Sequence, residues 1–263
     1  MIIDAPHPAV EFHDMTVSYD RTPVLWNIDM TLPTGALTGI IGPNGAGKST
    51  LIKAAMGLLP LGSGYVRLFD RPLDDVRDRV TYVPQRESID WDFPATVFDV
   101  VLMGRYARMG VFTRPRRADR EVAENCLRQT GMLAHRDRAI ANLSGGQQQR
   151  VFLARALATE ADLYFMDEPF AGVDAATEQA ILDILKGLTR AGKTVVVVHH
   201  DLQSAAAFFD WTVLLNLRLV AAGPIERVFT ADHLEQAYGG KLSILSEVGR
   251  LVQERHLPTR ETY

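Results

Sequence analysis

The chain has 263 residues, 47% hydrophobic and 23% charged, with a formal net charge of −4. That composition sustains a large apolar core, and the acidic balance argues against a nucleic-acid binder. The single cysteine, Cys126, excludes an internal disulfide framework and fits a reducing compartment.

The opening residues, MIIDAPHPAVEFHDM, lack the basic-then-apolar order of a signal peptide. No apolar run approaches the roughly 18–20 residues that cross a bilayer. The chain is expected to be soluble, with any membrane role exerted through a partner. Val10, Phe12, Val17 and Tyr19 stand among polar residues, and 27–32 alternates polar with apolar, so the start reads as β. Leu37–Ile41 is an apolar strand that runs into a glycine-rich turn. Residues 48–59 follow with helical spacing. Short strands are expected at 64–69 and Val80–Val83.

From Thr96 to about residue 133 the pattern turns helical. Thr96 can cap a helix through Gly104, with Asp99 as a capping-box carboxylate, and a second helix should cover 118–130. Cys126 falls there; a structural thiol and a nucleophile are its two readings. Beyond it come a helix over 146–158, a buried strand over 163–166, a helix over Ala175–Arg190 and a strand over 194–198. Asp201 can cap the next helix, and 211–217 with 219–222 can pair as a hairpin. Alternating strands and helices imply an α/β fold with a mainly parallel sheet. The expected layout is an α/β core with an N-terminal antiparallel β portion over 1–95 and 140–240. A helical subdomain is expected over 96–139 and a polar tail over 241–263.

Gly42, Pro43, Asn44, Gly45, Ala46, Gly47, Lys48, Ser49 and Thr50 spell G-x-x-x-x-G-K-[ST], after a strand and before a helix. Glycines let the backbone wrap close to phosphates with N–H groups inward. The helix N-terminus adds partial positive charge. In this pattern Lys48 bridges the β- and γ-phosphates and the Ser49 hydroxyl ligates Mg²⁺. The core is thus expected to be a P-loop NTPase, with ATP and Mg²⁺ as cofactors.

Downstream, an apolar strand ends in Asp167 and Glu168, at the sheet edge where ligands of such folds bind. Asp167 would hold Mg²⁺ through water, and Glu168 would orient and polarise the attacking water. Ser144, Gly145, Gly146 and Gln147 open a later helix. They make a second anion site by the same helix-terminus physics, or a flexible Ser-Gly turn with a cap. One nucleotide loop and two phosphate cradles are reconciled by a head-to-tail dimer, in which the cradle of one copy closes on the nucleotide of the other.

With Tyr19, the phosphate loop, Gln85, LSGGQ at 143–147, Asp167-Glu168, Gly172-Val-Asp174 and His200 in that order, the chain resembles the ATPase subunit of the ABC transporter family over nearly its whole length. The resemblance implies that Tyr19 stacks on adenine and that Gln85 touches the Mg²⁺ and water site. It implies that Asp174 organises the dimer interface and that His200 contacts the γ-phosphate. The family's histidine directly precedes an aspartate-led helix, which selects His200 over His199. The implied partners are a second copy of the chain, an integral membrane permease and, indirectly, an extracytoplasmic metal-binding protein. The implied place is the cytoplasmic face of the membrane.

Asp90-Trp-Asp-Phe-Pro94, Met103-Gly-Arg-Tyr106, Met109-Gly-Val-Phe112, His199-His-Asp-Leu202 and Phe209-Asp-Trp211 are similar to the bacterial importers of manganese, zinc or chelated iron. This narrower resemblance implies uptake of a transition metal, manganese foremost, and sets segment 90–94 against a short cytoplasmic helix of the permease. The seven histidines are scattered without the spacing of a metal cage, so the transported metal is not expected to bind here. Arg108, Arg114, Arg116 and Arg117 make either a basic face toward lipid or permease, or a solvated helical face. The alternative function is a non-transport ABC ATPase acting on nucleic acid or in macromolecular assembly. Such proteins usually need a second cassette, a long coiled-coil insertion or a cysteine-rich module, none of which is present in the sequence.

Overall fold

A computed structural model describes residues 1–19, 22–89, 91, 93–109 and 113–239. The expected tail, 241–263, lies outside the described residues, as do Asp90, Asp92, Gly110, Val111 and Phe112 of the importer-like segments. The chain divides into two compact units. One holds Met1–Pro33, Thr38–Asp70 and the chain from His199 onward; the other holds Thr34–Leu37 and Arg71–Val198.

The first unit opens with strands β1 (Pro8–Tyr19) and β2 (Thr22–Pro33), an antiparallel hairpin. Strand β3 (Leu37–Ile41) leads through the glycine loop to helix α1 (Lys48–Ala55). Strand β4 (Ser63–Leu68) then pairs with the free edge of β1, giving the antiparallel order β2-β1-β4. Alternation buries Val10, Phe12, Met15 and Val17 of β1 with Leu25, Ile28, Met30 and Leu32 of β2. A bulge interrupts β1 at Asp14, whose φ is 45°. Gly64 lies against it: a Cβ there would fall 2.2 Å from the His13 carbonyl oxygen, so only glycine fits.

The second unit holds α2 (Leu73–Val76), β5 (Val80–Val83), α3 (Val97–Leu102), α4 (Arg117–Gln129) and α5 (Gly145–Ala158). It continues with β6 (Leu163–Asp167), α6 (Ala175–Arg190) and β7 (Thr194–His199). β5, β6 and β7 are parallel neighbours, and every residue of β6 and β7 is buried. Burial on both faces explains why these strands read as unbroken apolar runs. Helices α3, α4 and α5 pack on one another. Their joint is closed by Arg105, which donates to Asp119 at 3.2 Å, Glu160 at 2.7 Å and the Ala158 carbonyl at 2.8 Å. Arg108 donates to the carbonyls of Thr159 and Glu160. These two guanidiniums therefore cap the C-terminal carbonyls of α5, Arg105 buried and Arg108 exposed, while Arg114, Arg116 and Arg117 of the basic stretch are exposed as well. Cys126 is buried, and burial pushes its thiol up to about 11, the structural reading of that residue.

The chain returns to the first unit with α7 (Leu202–Phe208), β8 (Trp211–Asn216), β9 (Arg218–Pro224), α8 (Ile225–Val228) and α9 (Ala231–Tyr238). β8 runs parallel to β3 and turns back into β9 around Leu217, where φ is 59°. The result is the expected α/β architecture with mainly parallel core strands and a separate antiparallel sheet at the N-terminus.

Two helices differ from the sequence expectation. The helix expected over 48–59 stops at Ala55, because Gly57 takes φ 65° and its amide and that of Leu58 close back on Ala54 and Lys53. The helix after Thr96 stops at Leu102 and tightens into a 3₁₀ turn over Met103–Arg108. Gly104 sits inside that turn, where a Cβ would come 2.2 Å from the Arg155 carbonyl oxygen. The close approach to α5 sets the local geometry. Among the described residues, no helix is long and apolar enough to cross a membrane.

Candidate functional site

In the first unit the phosphate loop is a ring of backbone braced from behind. Gly45 and Gly47 have φ of 80° and 92°, the left-handed region that a side chain disfavours. The Ala46 amide donates to Pro43, and the Ala46 carbonyl accepts from Leu217 at the β8–β9 turn. A Cβ at Gly42 would sit 2.0 Å from the Leu215 carbonyl oxygen, and one at Gly47 2.5 Å from the Leu25 side chain. Asn44 and Gly45 are exposed at the rim, while Thr50 is buried in α1. Lys48 is 6% exposed, and its ammonium donates to the carbonyls of Gly42 at 2.8 Å and Pro43 at 2.9 Å. A buried cation held by the loop's own carbonyls, beside amides at a helix start, suits the oxygens of a polyphosphate. The next residue, Ser49, supplies a hydroxyl in the first turn of α1.

Tyr19 closes β1, opposite Thr22, with 45% of its surface exposed, so its ring is available for stacking. His200 is exposed directly after β7. The structure separates it from His199, which is 3% exposed with Nε2 2.7 Å from the Ser204 hydroxyl. Burial holds the His199 imidazole down at about 4, opposed by Asp201, so it is neutral at pH 7. Ser204 donates onward to Asp201, which also caps α7 through the amides of Gln203 and Ser204. Of the two readings left to His199, packed or solvated, the structure shows the packed one.

In the second unit the carboxylates stand at the C-terminal end of β6. Asp167 is 0% exposed, and Tyr82 of β5 donates to it at 3.5 Å. Burial first, and Asp167 second, push the Tyr82 hydroxyl well above its ordinary range, so it stays a donor. Glu168 has φ 53°, a left-handed backbone that costs a non-glycine residue on the order of 1 kcal/mol. Gln85 lies half-buried just beyond β5, and its carbonyl accepts from the amide and hydroxyl of Ser88. Within this unit the Gln85 amide and the Asp167 carboxylate are oxygen donors of the kind that suits a hard cation such as Mg²⁺. Among the described residues, no group of three His, Cys, Asp or Glu could hold a transition metal.

The signature turn is also in the second unit. Ser144 caps α5: its hydroxyl accepts from the Gln147 amide, and the Gln147 side-chain oxygen accepts from the Ser144 amide at 3.0 Å. The capped turn is therefore present at this helix start. Gly146 faces Val173 and Thr177, where a Cβ would lie 3.7 Å and 3.8 Å from their side chains. Asp174 caps α6 by accepting from the Thr177 amide at 2.9 Å and its hydroxyl at 3.1 Å. Those hydrogen bonds hold its carboxyl below the usual range. The structure thus brings Gly146 and the Asp174 cap together. Sequence reasoning missed three supports: Tyr82 on Asp167, Arg86 on Gln148 and His135 near Gln147. Only Arg86 had a signal, its place beside Gln85.

The segment after Gln85 splits its two rings. Trp91 is half-buried, donates through Nε1 to the Arg86 carbonyl at 3.0 Å and meets Phe152 edge-on at 5.2 Å. Phe93 is 53% exposed and borders a cavity of about 120 Å³ whose walls include Val100, Met103 and Phe152.

The ABC transporter family matches residues 25–171. The chain is 57% identical to the zinc transport system ATP-binding protein TroB of Treponema pallidum, over 92% of this chain and 91% of that protein. It is 56% identical to the manganese transport system ATP-binding protein MntB of Bacillus subtilis, over 94% and 98% of the two chains. Among solved structures it is similar to cbiO1 from Clostridium perfringens, part of the ABC transporter complex cbiONQ, with a TM-score of 0.73, 26% identity, and coverage of 94% and 99%. A glycine loop around a buried lysine, a strand-end Asp-Glu pair and a capped LSGGQ turn thus occur together in a chain that belongs to the ABC transporter family, as its ATP-binding domain.

Proposed function

We propose that this chain hydrolyses MgATP as the ATPase subunit of an importer and so drives uptake of a transition metal, manganese or zinc, through a separate permease. The buried Lys48 inside its backbone ring carries the ATP part of this reading. The identity above one half to manganese and zinc ATP-binding proteins, over more than nine-tenths of the chain, carries the cargo.

Lys48 exchanges its two carbonyl contacts for phosphate oxygens when the nucleotide enters, while the loop amides and the start of α1 face the same charge. Mg²⁺, held by Ser49, Gln85 and Asp167, would neutralise phosphate charge. Tyr19 stacks on the adenine and His200 contacts the γ-phosphate. Glu168 accepts the proton of the attacking water, and its fixed backbone keeps the carboxylate in one place. Ser144, Gly145, Gly146 and Gln147 face the nucleotide of a second copy, and Asp174 steadies that interface. The chain works at the cytoplasmic face, held there by the permease, with an extracytoplasmic metal-binding protein delivering cargo on the far side.

The test is reconstitution with a candidate permease. Radiolabelled manganese and zinc are offered to vesicles with MgATP inside or outside. ATP-dependent accumulation of either metal supports the reading. Hydrolysis that no permease and no metal influences would overturn the transport role.

A further inference from the structure

The second unit contains a connection that the catalytic roles leave unused. Arg86, directly after Gln85, donates from Nε and Nη2 to the side-chain oxygen of Gln148, at 3.1 Å and 2.9 Å. Gln148 is 4% exposed, and its own amide group donates to the Ile140 carbonyl at 3.3 Å. Its backbone amide donates to the Ser144 carbonyl at 2.9 Å, so it stands one helical turn above the cap of α5. A Cβ at Gly145 would lie 3.3, 3.4 and 3.5 Å from Cζ, Nε and Nη2 of Arg86. Three atoms of one plane at nearly equal distance place Gly145 over the guanidinium face. A larger residue there would displace Arg86.

The same arginine holds the aromatic segment. Its carbonyl accepts from Trp91 Nε1 at 3.0 Å, and its Cζ stands 5.6 Å from the Trp91 ring centroid. Trp91 in turn packs on Phe152, further along α5. Arg86 therefore touches the segment of Trp91 and Phe93 by backbone and ring face, and the signature turn by its guanidinium.

We infer that Arg86 is a positioning residue that transmits displacement of the Trp91 segment to the signature turn. A planar guanidinium giving two bonds to one buried acceptor fixes direction as well as distance, which a lysine ammonium cannot do. The inference rests on the proposed function, because it needs a permease at one end and a nucleotide at the other.

The experiment uses the subunit assembled with its permease, and compares Arg86→Ala, Arg86→Lys, Gln148→Ala, Gln148→Glu and the double alanine variant. Permease-stimulated MgATP turnover should fall about tenfold in each single alanine variant, the scale of one lost charge-assisted hydrogen bond. The double variant should fall no further, since both changes cut one link. Gln148→Glu keeps an acceptor opposite the guanidinium and should stay within about threefold of wild type; Arg86→Lys should behave like Arg86→Ala. MgATP affinity of the separate subunit should stay within about twofold, because the phosphate loop is untouched. Full stimulation in both alanine variants overturns the inference. So do losses that multiply in the double variant, and losses that follow the melting temperature in Gln148→Glu as well. A wild-type complex whose hydrolysis ignores the permease sinks the proposed function itself, before any variant is compared.

Discussion

Gly47 opens α1 at φ 92° with no side chain to cap it, whereas Ser144 opens α5 with a reciprocal cap through Gln147. Both turns are glycine-rich and both start a helix, yet they are built by opposite means. The phosphate loop is fixed by backbone: Gly42 against Leu215, Gly47 against Leu25, Ala46 tied to Leu217. The signature turn is fixed by side chains, with Ser144, Gln147, Gln148 and Arg86 each holding part of it. A backbone-built seat is insensitive to rearrangement around it and presents the same amides throughout. A side-chain-built seat can be moved by whatever moves its supports. That difference suits a constant binding site in one region and a responsive one in the other.

The largest effect should come from separating binding from chemistry. Glu168→Gln fills the same space but cannot take a proton, so turnover should drop by more than about a hundredfold, the general-base scale. MgATP binding should persist, because the loop and Lys48 are unchanged, and the variant should accumulate as an ATP-bound pair of subunits. Turnover and a sizing column with MgATP check both. Near-normal hydrolysis would remove Glu168 from the chemistry.

The next contrast sets the two turns against each other. Lys48→Ala deletes a charge-assisted contact to phosphate and should weaken nucleotide binding by about ten- to a hundredfold. Ser144→Arg should leave binding by the separate subunit intact but block pairing by its bulk. Mixing the two inactive variants rebuilds one composite site, so some turnover should return. Loss of nucleotide binding in Ser144→Arg alone would break the division of roles.

The aromatic segment sharpens the same point on the side-chain-built region. From sequence, Trp91 and Phe93 are alike, two rings expected to meet the permease. The structure divides them, with Trp91 packed on Phe152 and Phe93 exposed. Phe93→Ala should therefore lower permease affinity by about thirtyfold, the cost of a central anchor, with an unchanged melt. Trp91→Ala should lower the melting temperature as well. Pull-down and thermal melting on the same samples decide it. An unweakened pull-down with Phe93→Ala would remove the docking role.

These contrasts follow what the sequence could show. The phosphate loop, the buried strand before Asp167, the Thr96–Asp99 capping box and the Asp201 cap were all legible. Each is written in contiguous residues whose spacing has one physical meaning. Arg86–Gln148, Tyr82–Asp167 and His135–Gln147 were not, because their partners lie 62, 85 and 12 positions apart and meet only after folding. The early stop of α1 was partly legible in Gly57, whose left-handed backbone ends the helix two residues after Ala55.

The smallest effect tests the comparison at its root, by changing each turn by a single heavy atom. Ser144→Ala removes one leg of the reciprocal cap. That leg is a long hydrogen bond, 3.4 Å from the Gln147 amide to the hydroxyl, while the Gln147 side chain keeps the other at 3.0 Å. The loss should sit near the lower end for an N-cap, about 0.5–1 kcal/mol. For a chain of this size that is a fall of about 1–4 °C in melting temperature. Gly47→Ala adds a single methyl and should cost more. It must hold φ near 92° and place Cβ 2.5 Å from Leu25 and 3.1 Å from the Val24 carbonyl, a neighbour that cannot rotate away. Turnover should part company with stability in Ser144→Ala, because in the proposed function the hydroxyl also faces the nucleotide of the second subunit. The Michaelis constant for ATP should therefore rise in that variant while the fold persists at assay temperature. Equal melting losses in the two variants would show that both turns depend on side chains alike, and the contrast between a fixed and a movable seat would be gone.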